Sequence, residues 1–337
     1  VSKKRKKNAY LAYLEFTGVR LVMTLVRIAP WKLALGVARI IGYVIYMVDS
    51  RHRKIADDNL MAAYGDDLSA SERDTIVRGA FRRFAELGVE AIHMYRYAES
   101  EAWREHVRFD VPPEVWDIMR GPRGAIVVGA HFGNMDVTAS GFSLAGVAGL
   151  AVVRPMDNPL LDKLLTDFRS RSGIELIPHH GVFHRMQEAL EAGINVGLLV
   201  DQDAKRNAVF VPFFGRPAAT TSSPAVLSLR TGCPIIILYG FREGDMPIFR
   251  VVTDGPIYPS PTGDLEADVY RITADMTSRI EKTIRRYPDQ WLWMHRRWKT
   301  QPPPDWSPPP GWSLPLGASA PASPSAQPKT SDEEPVA

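Results

Sequence analysis

Between residues 125 and 239, short apolar runs alternate with segments whose apolar residues recur at helical spacing, and a layered α/β fold satisfies both periods. Residues 125–129 and 148–153 read as buried strands. A helix starts at Asn158-Pro159, where a capping side chain precedes a proline already set for the first turn, and stops near Gly173. Strands follow at 174–177, 195–200 and 234–239, with helices over 182–192 and 222–231 between them. Upstream, Ser69 and Glu72 have capping-box spacing, and Val77, Ala80, Phe84, Leu87 and Ala91 share one helical face. Downstream, Val269, Ile272, Met276 and Ile280 mark a last helix over about 264–286. The expected fold is α/β, with a central mixed, largely parallel sheet flanked by helices.

Residues 9–48 are the most apolar stretch, but Glu15, Arg20, Arg27, Lys32 and Arg39 interrupt it and Pro30 divides it. Arg20 and Arg27 share one helical side, as do Lys32 and Arg39. Two helices lying in a membrane interface present this pattern; a core-facing hairpin is the alternative. Lys3, Lys4, Arg5, Lys6 and Lys7 precede it. Near anionic lipid such residues add roughly 1 kcal/mol of attraction each. The apolar region is too long and too charged for a cleaved signal peptide. Residues 1–48 are thus expected to associate with a bilayer and residues 49–300 to form the α/β domain. Residues 301–337 hold 11 of the 27 prolines and read as a disordered tail. A net charge of +3 is too small to argue for nucleic acid. The single cysteine, Cys233, excludes an internal disulfide and any multi-cysteine metal site, and its apolar surroundings make it core.

The chemistry is densest in GAIVVGAHFGNMD, residues 124–136. His131 falls just past the carboxyl end of a strand, where ligands collect in open α/β sheets. Gly133 and Asn134 permit a tight turn with exposed N–H groups, and Asp136 opens the next helix. A neutral imidazole can take a proton at physiological pH, and a carboxylate on its other nitrogen fixes the tautomer. The expectation is His131 as general base with Asp136 as its partner. No serine nucleophile elbow is present, so the base would act directly on a substrate hydroxyl.

Other candidates carry two readings each. Asp201 and Asp203 end a buried strand and could orient His131 or an acceptor sugar, or cap the loop. Arg154 suits a phosphate or carboxylate on the acceptor, or a salt bridge to Asp157 or Asp162. Phe210, Phe213 and Phe214 could line an acyl channel or fill the core. Trp291, Trp293 and Trp298, around Arg296 and Arg297, suit a membrane interface or packing on the last helix. His179, His180 and His184 read as surface residues.

Four blocks in this order resemble the bacterial lipid A biosynthesis acyltransferase family, a branch of the lysophospholipid acyltransferase superfamily. They are AHFGNMD (130–136), VVRPMDNPLLDKL (152–164), DQDAKRNAVFVPFFGRPAATT (201–221) and YPDQWLWMHRRWKT (287–300). The likeness runs from about residue 10 to 300. It implies an O-acyltransferase that moves a fatty acyl chain from a thioester, on acyl carrier protein or coenzyme A, to a hydroxyl of a membrane glycolipid. The acceptor so implied is a lipid A precursor, at the cytoplasmic face of the inner membrane, for a peripheral or monotopic enzyme on an anionic bilayer. No metal or cofactor is implied beyond the thioester co-substrate. The family's catalytic His and acid match His131 and Asp136, with oxyanion donors near Gly133 and Asn134. Its further substrate-binding positions match Arg154, Arg169 and Asp203, and Phe213 falls in its FVPFFG block.

Two departures bear on the acceptor. The lipid A enzymes usually carry Glu where Asp136 stands and an aromatic residue where Met135 stands; related phosphatidylinositol mannoside acyltransferases tolerate Asp. Lys205, Arg206 and Asn207 replace a more glycine-like stretch. A mannoside or other glycolipid acceptor is therefore the alternative. Transfer to water (a thioesterase), a metal-dependent phosphoesterase using His131, Asp136, Asp201, Asp203 and His179, and a non-catalytic lipid-binding protein of the same fold are the further ones.

Overall fold

A computed structural model describes residues 9–97, 101–153, 155–178, 181–205, 208–244 and 248–307. The N-terminal stretch forms α1 (Ala9–Ile28) and α2 (Trp31–Val48), broken at Pro30 as its missing N–H requires. Then come α3 (Ser50–Tyr64) and the long α4 (Ala70–Tyr97). Ser69 caps α4 reciprocally with Glu72: the Ser69 N–H donates to Glu72 Oε2 at 2.8 Å, and the Glu72 N–H donates to Ser69 Oγ at 3.3 Å.

The α/β domain follows as β1 (Val107–Asp110), α5 (Pro113–Met119), β2 (Ile126–Gly133), α6 (Met135–Leu144), β3 (Gly149–Val153) and α7 (Pro159–Ser170). It continues with β4 (Glu175–Pro178), α8 (Phe183–Glu191), β5 (Asn195–Leu199), a hairpin of β6 (Ala208–Phe213) and β7 (Arg216–Thr221), and α9 (Ser223–Thr231). It ends with β8 (Ile235–Glu243), β9 (Ile248–Ile257) and α10 (Leu265–Arg286). Seven strands form one sheet in the order β1-β9-β8-β2-β5-β3-β4. Its central pairs are parallel and β8–β9 is antiparallel, so the sheet is mixed as expected.

Right-handed crossovers put α6 and α7 on one face and α8 and α9 on the other. Ile126 and Val128 pack toward Leu190 and Leu227 on the second face, and Val127 toward the α6 side. The four α10 residues read from the sequence are all buried there. β2 runs past its expected end at Gly129, through an irregular register, to Gly133. His131 therefore lies within the distorted end of the strand, where its backbone is still held. The strands β1 and β9, the β6–β7 hairpin and α3 carry no distinct local pattern and were not expected.

The N-terminal helices invert the soluble pattern. Leu33, Val37, Ile40, Ile41, Val44 and Met47 of α2 are exposed, while Ala34, Leu35 and Ala38 face α4. Arg39 also turns inward, its Nε 2.7 Å from Oε1 of the buried Glu86. The shared side of Lys32 and Arg39 is thus not a headgroup-facing stripe, because Glu86 offers Arg39 a stronger partner than water. At the α2–α4 crossing only a glycine fits: a Cβ on Gly42 would meet the Phe81 carbonyl oxygen at 3.0 Å. Both N-terminal helices are long and apolar enough to cross a membrane by length and composition, and α1 is almost wholly exposed. Their outward apolar faces are compatible with membrane association.

Candidate active site

β2 and β5 are neighbours, so their carboxyl ends bring His131 and Asp201 together across 70 residues of chain. His131 Nδ1 lies 2.9 Å from Asp201 Oδ1, and the His131 backbone N–H donates to Asp201 Oδ2 at 2.8 Å. The Trp291 indole N–H donates to the same oxygen at 2.8 Å. A carboxylate only accepts, so Nδ1 carries the proton and Nε2 is left as the basic nitrogen. The Gln202 side-chain nitrogen sits 3.2 Å from Nε2, where its N–H can donate. Burial disfavours the imidazolium, but the charge and hydrogen bond of Asp201 outweigh it and hold the His131 pKa above its ordinary value. Burial likewise opposes the Asp201 carboxylate, and His131 with its other donors keeps it ionised below the ordinary value.

The pairing expected from the sequence is not the one the fold makes. Asp136 opens α6, and its two oxygens accept from Arg169 Nε at 2.7 Å and Arg169 NH2 at 3.2 Å. A guanidinium matches a carboxylate bidentately, and Arg169 at the end of α7 crosses back over α6 to do so. Tyr95, from α4, borders this pair, and burial raises its pKa to about 12, so the phenol stays neutral.

Gly133 takes φ +55°, and a Cβ there would sit 1.9 Å from the Gly240 carbonyl oxygen. Asn134 caps α6, accepting from the Val137 N–H at 3.1 Å. Its amide donates to Leu87 O at 3.2 Å and Glu90 Oε2 at 2.9 Å, and its own N–H points to Gly240 O at 3.4 Å. These two residues build the turn, and the Asn134 N–H is already engaged. Behind it, buried Arg242 pairs with Glu86 and Glu90. Burial pushes the Glu90 carboxyl above its ordinary pKa.

The C-terminal segment clamps the loop after β5. The Leu292 N–H donates to His131 O at 3.0 Å, and Phe132 and Trp291 form an isolated antiparallel bridge. His295 Nε2 accepts from the Asp203 N–H at 3.0 Å; burial keeps the pKa of this imidazole low, as an acceptor requires. Asp203 itself accepts from the Thr300 N–H at 2.9 Å and hydroxyl at 3.0 Å. Asp203 is thus tied into the protein as a loop anchor.

An apolar cavity of about 200 Å³ opens beside the site, against the sheet and between α6 and α7. Val127, Val152, Leu176, Leu198 and Leu238 line it, and Asp136, Arg169 and Tyr95 border it. A smaller pocket of about 70 Å³ holds His131 and Gly133, and Met135 lines both. Phe213 lines neither: it is buried against Trp291 and Trp298 under the Arg297 guanidinium. Strand glycines were the available signal for the cavity, since Gly129 and Gly197 leave its wall without side chains. Arg154, His179 and His180 lie outside the described residues, as do the basic block at 3–7 and residues 308–337. Among the described residues the phosphoesterase ligand set is not assembled, because Asp136 goes to Arg169 and Asp203 to Thr300.

The family model described as bacterial lipid A biosynthesis acyltransferase matches residues 2–300. The chain is 27% identical to a lipid A biosynthesis lauroyltransferase of Escherichia coli, over 86% of this chain and 92% of that protein. It is 31% identical to a lipid A biosynthesis palmitoleoyltransferase of the same organism, over 75% and 80%. A phosphatidylinositol mannoside acyltransferase of Mycolicibacterium smegmatis is 25% identical over 67% and 73%.

Proposed function

Since the chain belongs to the bacterial lipid A biosynthesis acyltransferase family and is an acyltransferase acting on glycolipid, we propose that it esterifies a hydroxyl of a lipid A precursor with His131 as general base. The observation that carries this reading is the proton-holding contact of His131 Nδ1 with buried Asp201, which leaves Nε2 basic, while His131 lines a small pocket that shares Met135 with the larger apolar cavity. The acyl chain occupies that cavity, with its thioester carbonyl near Met135. The acceptor hydroxyl displaces the Gln202 amide from Nε2 and gives its proton to that nitrogen. The oxygen then attacks the carbonyl carbon. The first turn of α6 offers backbone N–H groups to the oxyanion. The intermediate collapses with cleavage of the C–S bond, and the imidazolium returns the proton to the departing thiolate. Asp201 is a positioning residue that stabilises the imidazolium. Asp136, held by Arg169, shapes the mouth of the acyl cavity and places that pair beside the reacting carbonyl.

The donor is an acyl thioester on acyl carrier protein or coenzyme A, and the site faces the cytoplasmic side of the inner membrane. Asp136 and Met135 favour, as a second reading, a mannosylated phosphoinositide acceptor, in keeping with the relative of that name. The test is acyl transfer from labelled donor in isolated membranes: His131→Ala should lose about 10²–10⁴-fold in rate. Undiminished transfer removes the base from the mechanism. Mass spectrometry of envelope lipids with and without the gene then distinguishes the acceptors by which lipid loses one acyl group.

A further inference from the structure

A groove of about 580 Å³ lies between α3, from Ser50 to Ala62, and residues 296–299, apart from both pockets at His131. Arg51 and Lys54 line it from α3, Arg296 and Lys299 from the opposite wall, and Trp298 closes one side. The carboxylate in it, Asp58, is taken by Lys54 at 2.9 Å. Among the described residues Arg296 and Lys299 make no ion pair, so the groove keeps a net positive charge. Its floor is rigid: buried Asn59 donates to Trp293 O at 2.7 Å and to His295 O at 2.6 Å. The same segment contacts His131 through the Leu292 N–H, so it links the groove to the site.

Its depth relative to the apolar surface is set by the chain. The exposed Met47 and Val48 end α2, and Arg51 stands in the first turn of α3 just beyond. Cations and an indole immediately past an outward apolar helix belong at headgroup level. A concave site with several converging cations fits a compact anion better than the convex acidic helix of a carrier protein. We propose that Arg51, Lys54, Arg296 and Lys299 bind a phosphate on the headgroup of the acceptor lipid, which orients its hydroxyl toward His131. This rests on the acyltransferase reading above and adds where the acceptor is held.

The experiment uses the full chain and two probes, a phosphorylated glucosamine disaccharide lipid and its dephosphorylated twin, each in phosphatidylcholine vesicles. Wild type is compared with the double variant Arg51→Ala, Arg296→Ala and with Lys299→Ala. Vesicle binding without donor should weaken in the double variant about tenfold or more for the phosphorylated probe and be unchanged for its twin. With donor present, the acceptor KM should rise while the donor KM stays in place. Equal weakening with both twins, or the same loss on phosphatidylglycerol vesicles, reduces the groove to bulk charge and overturns the proposal. A raised donor KM with an unmoved acceptor KM assigns the groove to the acyl carrier and also overturns it. The binding arm needs no turnover, so absence of transfer by wild type counts against the acyltransferase reading and leaves the groove to be judged by binding.

Discussion

Of two carboxylates that bear on the imidazole, Asp201 comes from 70 residues away and pairs with it, while nearby Asp136 pairs with Arg169. Asp201→Asn should lower the rate about 10²-fold or more, since the imidazolium loses its counter-charge. It should also move the acid limb of the rate profile to lower pH. The sign follows from the raised pKa of His131: the base must be neutral, so wild-type activity falls as pH drops through a pKa higher than the ordinary histidine value. For stability the same shift acts oppositely. The Asp201–His131 pair stabilises the fold fully below the unfolded histidine pKa, and that contribution is lost as pH rises through the folded one. Asp136→Asn should leave the acid limb in place, because its carboxylate meets Arg169. Measured kcat/KM against pH for both variants separates the two roles; a limb moved by Asp136→Asn alone overturns the assignment. Gly133→Ala should remove activity and fold stability together, since it faces both a left-handed backbone and the Gly240 carbonyl.

At the scale of elements, the segment after α10 works as a strap across the ends of β2 and β5. Trp291→Phe keeps an aromatic ring, loses the pyrrole half of the indole and with it one donor to Asp201, making that carboxylate more basic and its hold on the imidazolium tighter. The acid limb should therefore shift to higher pH, with about 1.5–3 kcal/mol lost in denaturant unfolding. Behind the α6 turn, Arg242 links β8 to two buried glutamates of α4, one of which also holds Arg39 of α2. Arg242→Met leaves Glu86 its pairs with Arg39 and Arg83 but takes the cation from buried Glu90, so it should cost about 1–3 kcal/mol in the same measurement. Local pattern gave the start of α4 through Ser69 and Glu72, and the face of α10. It put Phe84 on the core face of α4, where the structure exposes Phe84 and buries Glu86 and Glu90 instead. Periodicity cannot count salt bridges that arrive from other elements.

Over the whole molecule, α1 and α2 expose large apolar side chains, and so do Phe84 and Leu199, which line the two pockets of the site. Val37→Lys with Ile41→Lys should weaken vesicle binding about 10²-fold, since each side chain buries roughly 1.5–3 kcal/mol of apolar surface. Co-sedimentation measures it, and unchanged binding would remove α2 from the membrane contact.

The order of residue types along the chain was enough to determine the α/β alternation, the capped helix starts, the outward apolar N-terminus and the histidine at a strand's carboxyl end, because each of these is a contest between neighbours a few residues apart. Which carboxylate reaches that histidine was decided by tertiary structure alone. β5 pairs beside β2 and delivers Asp201 from 70 residues away, while α7 folds back to give Asp136 an arginine. A hydrogen bond depends on distance in space, and the five positions separating His131 from Asp136 span a change from strand to helix that turns the two side chains toward different partners.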